Sequence, residues 1–130
     1  LVVIEKKSSK LEWAGANNPL WVISADSNEL VEIKADKQPI GLHSHSKPFT
    51  THHVDIETGD TLILLTDGFA DQFGTETGKK FKSANLKRLL SEHANSSMSE
   101  LENTMNTTFE HWKGEEEQVD DVCIIGLKIF

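Results

Sequence analysis

Two carboxylate signatures lie at the ends of apolar runs in this 130-residue sequence. Thr66-Asp67-Gly68 follows Asp60-Thr61-Leu62-Ile63-Leu64-Leu65, and Asp120-Asp121 precedes Val122-Cys123-Ile124-Ile125-Gly126-Leu127-Lys128-Ile129-Phe130. Both runs have the make-up of buried β-strands. If the strands are neighbours, Asp67 and Asp120 converge and could hold one hard divalent cation. Carboxylate oxygens suit Mg²⁺ and Mn²⁺, and Mg²⁺ keeps several waters beside one or two carboxylates. That is the chemistry of a metal-dependent hydrolase. Gly68 permits an unusual backbone conformation or a close approach. Asp120 and Asp121 repel each other, which a cation or a basic partner would relieve. In an extended chain their side chains point to opposite sides, so only one of them faces the site. Each signature also has a plainer reading. Asp67 could simply end a strand in a turn, and Asp120-Asp121 could continue the solvated acidic loop Glu115-Glu116-Glu117.

Other clusters are less specific. His43, His45, His52 and His53 lie close together, and a His-x-His pair can chelate Zn²⁺ from one strand face. No Cys or Glu stands at a matching spacing, and His52 and His53 point opposite ways if extended, so surface and loop histidines are the simpler reading. Ser44, Ser46 and Thr66 lack a fixed base, and there is no Gly-x-Ser-x-Gly elbow. Gly74-Thr75-Glu76-Thr77-Gly78-Lys79-Lys80 resembles a phosphate loop in composition, but it follows no strand and opens no immediate helix. It reads as a flexible hairpin or flap around Phe73–Lys82 that could gate access to a substrate.

The elements that must position the aspartates follow from periodicity. Leu1–Lys6, Lys10–Ala14, Leu20–Ser24, Leu30–Lys34, Thr50–Ile56, Thr61–Leu65 and Val122–Phe130 are predicted strands. The turn at Asp26-Ser27-Asn28 closes a hairpin. Residues Ala35 to Lys47 form a longer loop. The continuous apolar run Thr61–Leu65 implies cover on both faces. Helical spacing predicts helices near Ser83–Ala94 and Ser99–Lys113, the second opened by a capping box of Ser99 with Glu102 and stopped by Gly114. Strands, then two helices, then a final strand is an α+β order. The apolar pattern of the last strand implies that it inserts among the earlier strands, with Thr61–Leu65 as its expected neighbour.

Composition narrows the field. The length fits one domain, since single domains commonly run to roughly 100–150 residues. Apolar residues make up 37%, and three Trp and six Phe supply core volume without disulfides. The lone Cys123 cannot form an internal disulfide and reads as a small core hydrophobe. A net charge of −8 disfavours nucleic acid as a partner. No run of about 18 apolar residues offers a membrane span, and Leu1–Glu5 lacks the build of a signal peptide. The chain starts without Met, so a segment of a longer protein is expected.

Three blocks in order carry a family resemblance: Trp13-Ala14-Gly15-Ala16-Asn17-Asn18-Pro19-Leu20, Gly59 through Asp71, and Gln118-Val119-Asp120-Asp121-Val122-Cys123-Ile124-Ile125. Together they resemble the stage II sporulation protein E-like branch of the metal-dependent serine/threonine phosphatases, the protein phosphatase 2C superfamily. The resemblance spans Leu1 to Phe130. It implies an αββα sandwich around two Mn²⁺ or Mg²⁺ ions, with Asp67 and Asp120 as metal ligands and Gly68 and Asp121 in supporting roles. It also implies an earlier aspartate block that binds both metals, and no such block is present here. On this reading residues 1–130 are the C-terminal part of one phosphatase domain, truncated on its N-terminal side and inactive or nearly so alone. The implied partners are a phosphoprotein substrate, such as an anti-sigma antagonist, and upstream sensor or receiver domains. The expected location is cytoplasmic, although other domains could tether a longer protein to a membrane. A phosphatase-like module that only binds a signalling partner is the alternative.

Overall fold

The computed structural model describes residues 1–5, 9–41, 44 and 47–130. Among the described residues, seven strands and three helices follow one another as β1 (Val2–Glu5), β2 (Lys10–Trp13), β3 (Leu20–Ile23), β4 (Leu30–Ile33), β5 (His52–Asp55), β6 (Thr61–Leu65), α1 (Gly68–Asp71), α2 (Ser83–Glu92), α3 (Met98–Lys113) and β7 (Ile124–Lys128). The strands form two antiparallel sheets. One has the order β1-β2-β5 and the other β4-β3-β6-β7.

Side-chain alternation decides which layers meet. On β2, Leu11 and Trp13 are buried while Lys10 and Glu12 face water. Leu11 and Trp13 pack with Leu20, Val22, Ile56 and Leu62, which makes an apolar layer between the two sheets. The opposite face of the four-stranded sheet offers Trp21, Ile23 and Ile63 to the helices. Against it lie Phe69 and Ala70 of α1, Leu86 and Leu90 of α2, and Leu101, Met105 and Phe109 of α3. The order of layers is therefore three-stranded sheet, four-stranded sheet, helices. This is the expected α+β arrangement, with an antiparallel sandwich carrying helices on one side. Both faces of β3 and the middle of β6 are covered, which for β6 is what the continuous apolar run Thr61–Leu65 predicts.

The loop ends are fastened by carboxylates and turns. The buried Asp60 accepts hydrogen bonds from the N–H groups of Ala25 (3.0 Å) and Glu57 (2.8 Å), tying the β5–β6 turn to the β3–β4 hairpin. The segment around Gly74 is a hairpin turn, with Phe73 bridged to Lys80. It is tied to the end of α3: the Thr75 hydroxyl donates to the Lys113 carbonyl (2.7 Å) and accepts from the Glu115 N–H (3.0 Å).

Three expectations are corrected. The capping box of α3 is Ser97 with Glu100, not Ser99 with Glu102. Both pairs fit the same four-residue pattern, and the earlier start places Met98 in the helix, where it packs on the core. Cys123 is exposed, not a core residue. The last strand is also shorter than Val122–Phe130 and lies at a sheet edge, paired with β6 alone. Leu127 pairs with Leu62 and Ile125 with Leu64, so they share a face with residues of the inter-sheet layer. They lie beyond the cover of the three-stranded sheet, and Ile125 stays 56% exposed and Leu127 46%. The one-turn helix α1 was not anticipated. His43 and His45 lie outside the described residues.

Candidate metal-ligand site

The Thr-Asp-Gly segment joins β6 to α1. Asp67 is the N-cap of α1, is exposed, and makes no capping hydrogen bond with its side chain. Its carbonyl accepts from the Asp71 N–H at 2.9 Å, closing the single turn. Phe69 and Ala70 plug that turn into the helical core, so the carboxylate projects from an anchored corner.

The second carboxylate lies on the loop between α3 and β7. Asp120 and Asp121 are both exposed. The Asp120 carboxylate accepts a 2.7 Å bond from the N–H of Asp121, and its carbonyl accepts from the side-chain amide of Gln118 at 2.9 Å.

The antiparallel pairing of β6 with β7 brings these segments together, with Leu65 opposite Ile124. Beyond the ladder, three features continue the contact. The Thr66 N–H donates to the Cys123 carbonyl at 3.0 Å. The Thr66 hydroxyl donates to the Asp121 carbonyl at 2.7 Å and accepts from the Cys123 N–H at 2.9 Å. Gly68 lies so close to the loop that an added Cβ would meet the Asp121 carbonyl oxygen at 2.5 Å. Gly68 thus serves close approach, not an unusual backbone angle, because it is not among the positive-φ glycines. The Asp121 backbone carbonyl is thus the point where Thr66 and Gly68 both meet the loop.

Sequence reasoning missed Gln72. Its side chain is fully buried. The amide N–H groups donate to the carbonyls of Phe73 (3.1 Å) and Glu117 (3.0 Å), and its oxygen accepts from the Val119 N–H (3.3 Å). The available signal was a neutral amide set between Phe69-Ala70 and Phe73, a place where apolar residues belong.

The donor set suits a hard cation in kind, since both groups are carboxylates and Mg²⁺ accepts one or two of these with water. Among the described residues, no group of three or more His, Cys, Asp or Glu could hold a metal ion. His52 and His53 do not converge. His52 packs on Trp13 with ring centres 5.3 Å apart, and His53 faces Glu12 at 3.4 Å. A cleft of about 690 Å³ runs between α3 and β7, lined in part by Ile63, Met98, Met105 and Ile124; neither Asp67 nor Asp120 lines it. Among the described residues no helix is long and apolar enough to cross a membrane.

Solved structures share this architecture. The SiaA-PP2C domain of Pseudomonas aeruginosa is 29% identical and superposes with a TM-score of 0.89 over 99% of this chain and 50% of that one. The phosphatase domain of the cell fate determinant SpoIIE from Bacillus subtilis, in a Mn-presoaked form, is 15% identical with a TM-score of 0.71, covering 99% and 54%. The RsbU and RsbW domains of a Mycobacterium tuberculosis protein are 18% identical with a TM-score of 0.70, covering 94% and 34%. The chain thus spans about half the length of the first two. A comparison with curated proteins gave no match. The family model described as Stage II sporulation protein E (SpoIIE) matches residues 1–130 from end to end. With its two antiparallel sheets and one helical layer, the chain belongs to the SpoIIE family and has the fold of its PP2C-type phosphatase domains.

Proposed function

We propose that this chain is part of a metal-dependent protein serine/threonine phosphatase, with Asp67 and Asp120 as metal ligands and Gly68 and Asp121 in support. Within this reading residues 1–130 form the C-terminal part of the phosphatase domain. The observation that supports it best is the contact of the two aspartate-bearing segments, where Gly68 meets the Asp121 carbonyl. Two acidic segments repel, and a cation between them gives the approach a purpose. The Mn-presoaked form of the Bacillus subtilis phosphatase domain favours Mn²⁺ or Mg²⁺ as the metal.

In the mechanism, Asp67 and Asp120 would supply oxygen ligands from segments anchored by the fold. A cation held there would lower the pKa of water and offset charge on the phosphoryl group. The chain need not offer a nucleophile of its own, in keeping with the lack of a Ser-based constellation. The substrate class is a phosphoserine or phosphothreonine protein in a regulatory system, such as an anti-sigma antagonist. A solved neighbour that contains RsbU and RsbW domains is in line with that setting, and the reading includes upstream sensor or receiver domains and a cytoplasmic location.

The test is Mn²⁺-dependent phosphate release from a phosphoserine peptide by the full-length natural protein. Asp67→Asn and Asp120→Asn should each remove turnover with little change in melting temperature. Full activity in both variants would overturn the site. The 130-residue chain alone should release little phosphate.

The second reading is a phosphatase-like module that binds a signalling partner without catalysis. Absence of metal-dependent turnover in the full-length natural protein would decide for it.

A further inference from the structure

Asp67 is bracketed by two uncharged polar residues, Thr66 and Gln72, and both reach the loop that carries Asp120. Thr66 holds the loop after Asp120 through the Asp121 carbonyl (2.7 Å) and the Cys123 N–H (2.9 Å). Gln72 holds it before Asp120 through the Glu117 carbonyl (3.0 Å) and the Val119 N–H (3.3 Å). Every one of these bonds ends on backbone, so the loop's path is fixed whatever its side chains do. We propose that Thr66 and Gln72 are positioning residues, which set the spacing of the Asp67 and Asp120 carboxylates by gripping the Asp120 loop on both sides. The inference rests on the reading of those two aspartates as metal ligands.

The chemistry favours this arrangement. Both carboxylates are negative, and the described residues give neither of them an ion pair. A Lys or Arg used as a fastener here would compete with the metal for their oxygens. A hydroxyl and an amide join the acidic segments without adding charge. The Gln72 amide is fully buried, where an unmet polar group is costly, so its bonds to the loop are strongly enforced. The backbone carbonyl of Gln72 also accepts from the Trp112 indole (3.0 Å) and the Phe81 N–H (3.0 Å). This locks the grip to the end of α3 and the start of α2. Supporting hydrogen bonds around a metal site commonly control affinity by roughly 10–100-fold.

The experiment is a calorimetric Mn²⁺ titration of the full-length natural protein, paired with amide hydrogen exchange and melting curves. Thr66→Val keeps the shape and removes the hydroxyl. It should weaken Mn²⁺ binding roughly 10–100-fold and speed exchange at the Cys123 amide, and Thr66→Ser should restore both. Gln72→Met should do the same with faster exchange at Val119. If that variant fails to fold, the Thr66 pair decides alone. Asp67→Asn separates the two readings. If it loses Mn²⁺ while Thr66→Val binds as tightly as wild type, the positioning role is wrong and the metal site stands. A fall in melting temperature with unchanged affinity would likewise overturn the positioning role. If Asp67→Asn binds Mn²⁺ like wild type, the metal reading fails and this inference falls with it.

Discussion

Gly68 shows what a single residue contributes here. Its place after Asp67 is legible in the sequence, but the reason for a glycine is not. The backbone at Gly68 is ordinary, and the space is what is missing: a Cβ would press on the Asp121 carbonyl oxygen and carbon at 2.5 and 2.9 Å. Both are backbone atoms, which cannot rotate away. Gly68→Ala should therefore push the Asp120 loop outward. Overpacking of this kind costs about 1–3 kcal/mol, and the same displacement should weaken Mn²⁺ binding. Urea denaturation and metal titration on one variant would check both effects. An alanine variant with wild-type stability would show that the loop yields freely.

At the scale of elements, the caps and the helix-to-sheet links carry the predictions. Ser97 accepts from the Glu100 N–H at 3.2 Å, and the Glu100 carboxylate accepts from the Ser97 N–H at 2.8 Å. The Ser97 N–H first, and then the Ser97 hydroxyl, which also donates to the Glu100 carboxylate at 2.8 Å, hold that carboxyl below its ordinary range. Ser97→Ala should destabilise the fold by about 1 kcal/mol. Ser99→Ala, one step inside the exposed start of α3, should change it far less. Thermal melts of the two variants would separate the alternative caps directly.

A second link ties α2 to the four-stranded sheet. Lys87 meets Glu32 at 2.8 Å and lies over the Trp21 ring, whose indole N–H also donates to Glu32 at 2.9 Å. The hydrogen bond from Lys87 is the main cause that holds the Glu32 carboxyl below its ordinary value of 4.5. A depressed carboxyl contributes stability above its unfolded pKa and loses it as pH falls through the folded one. Glu32→Gln should cost about 1 kcal/mol near neutral pH, and the difference from wild type should shrink below about pH 4.5. Urea titrations across that range would reveal a difference that fails to shrink, which would remove the ion pair as its source.

The whole molecule is held by two apolar layers that share one sheet. β3 and β6 serve both, with Leu20, Val22 and Leu62 on the inter-sheet side and Trp21, Ile23 and Ile63 under the helices. Damage to either layer should therefore reach the other. Leu11→Ala between the sheets and Leu86→Ala beneath α2 both remove side chains with no exposed surface. Each should cost about 2–5 kcal/mol. Both variants should unfold in a single transition by near- and far-ultraviolet circular dichroism. Separate transitions would mean that the two layers fold independently.

The sequence by itself determined most of the ladder of elements. Alternation marked the strands, helical spacing marked α2 and α3, and the continuous run Thr61–Leu65 announced burial on both faces. The ordered blocks around Asp67 and Asp120 also pointed to the family. These features are local, and local periodicity reports on one face of one element. The tertiary structure alone decided how the elements shared their surroundings. Two Ser-x-x-Glu patterns are equal in the chain, and only the packing of Met98 selects Ser97. Cys123 looks like a core residue until β7 takes an edge position beyond the cover of the other sheet. Thr66 and Gln72 are unremarkable as letters. Their grip on residues 117 to 123 exists only because β6 and β7 pair across more than fifty intervening residues. Such long-range contacts depend on partners that no local window contains, and those contacts bring the aspartate segments together.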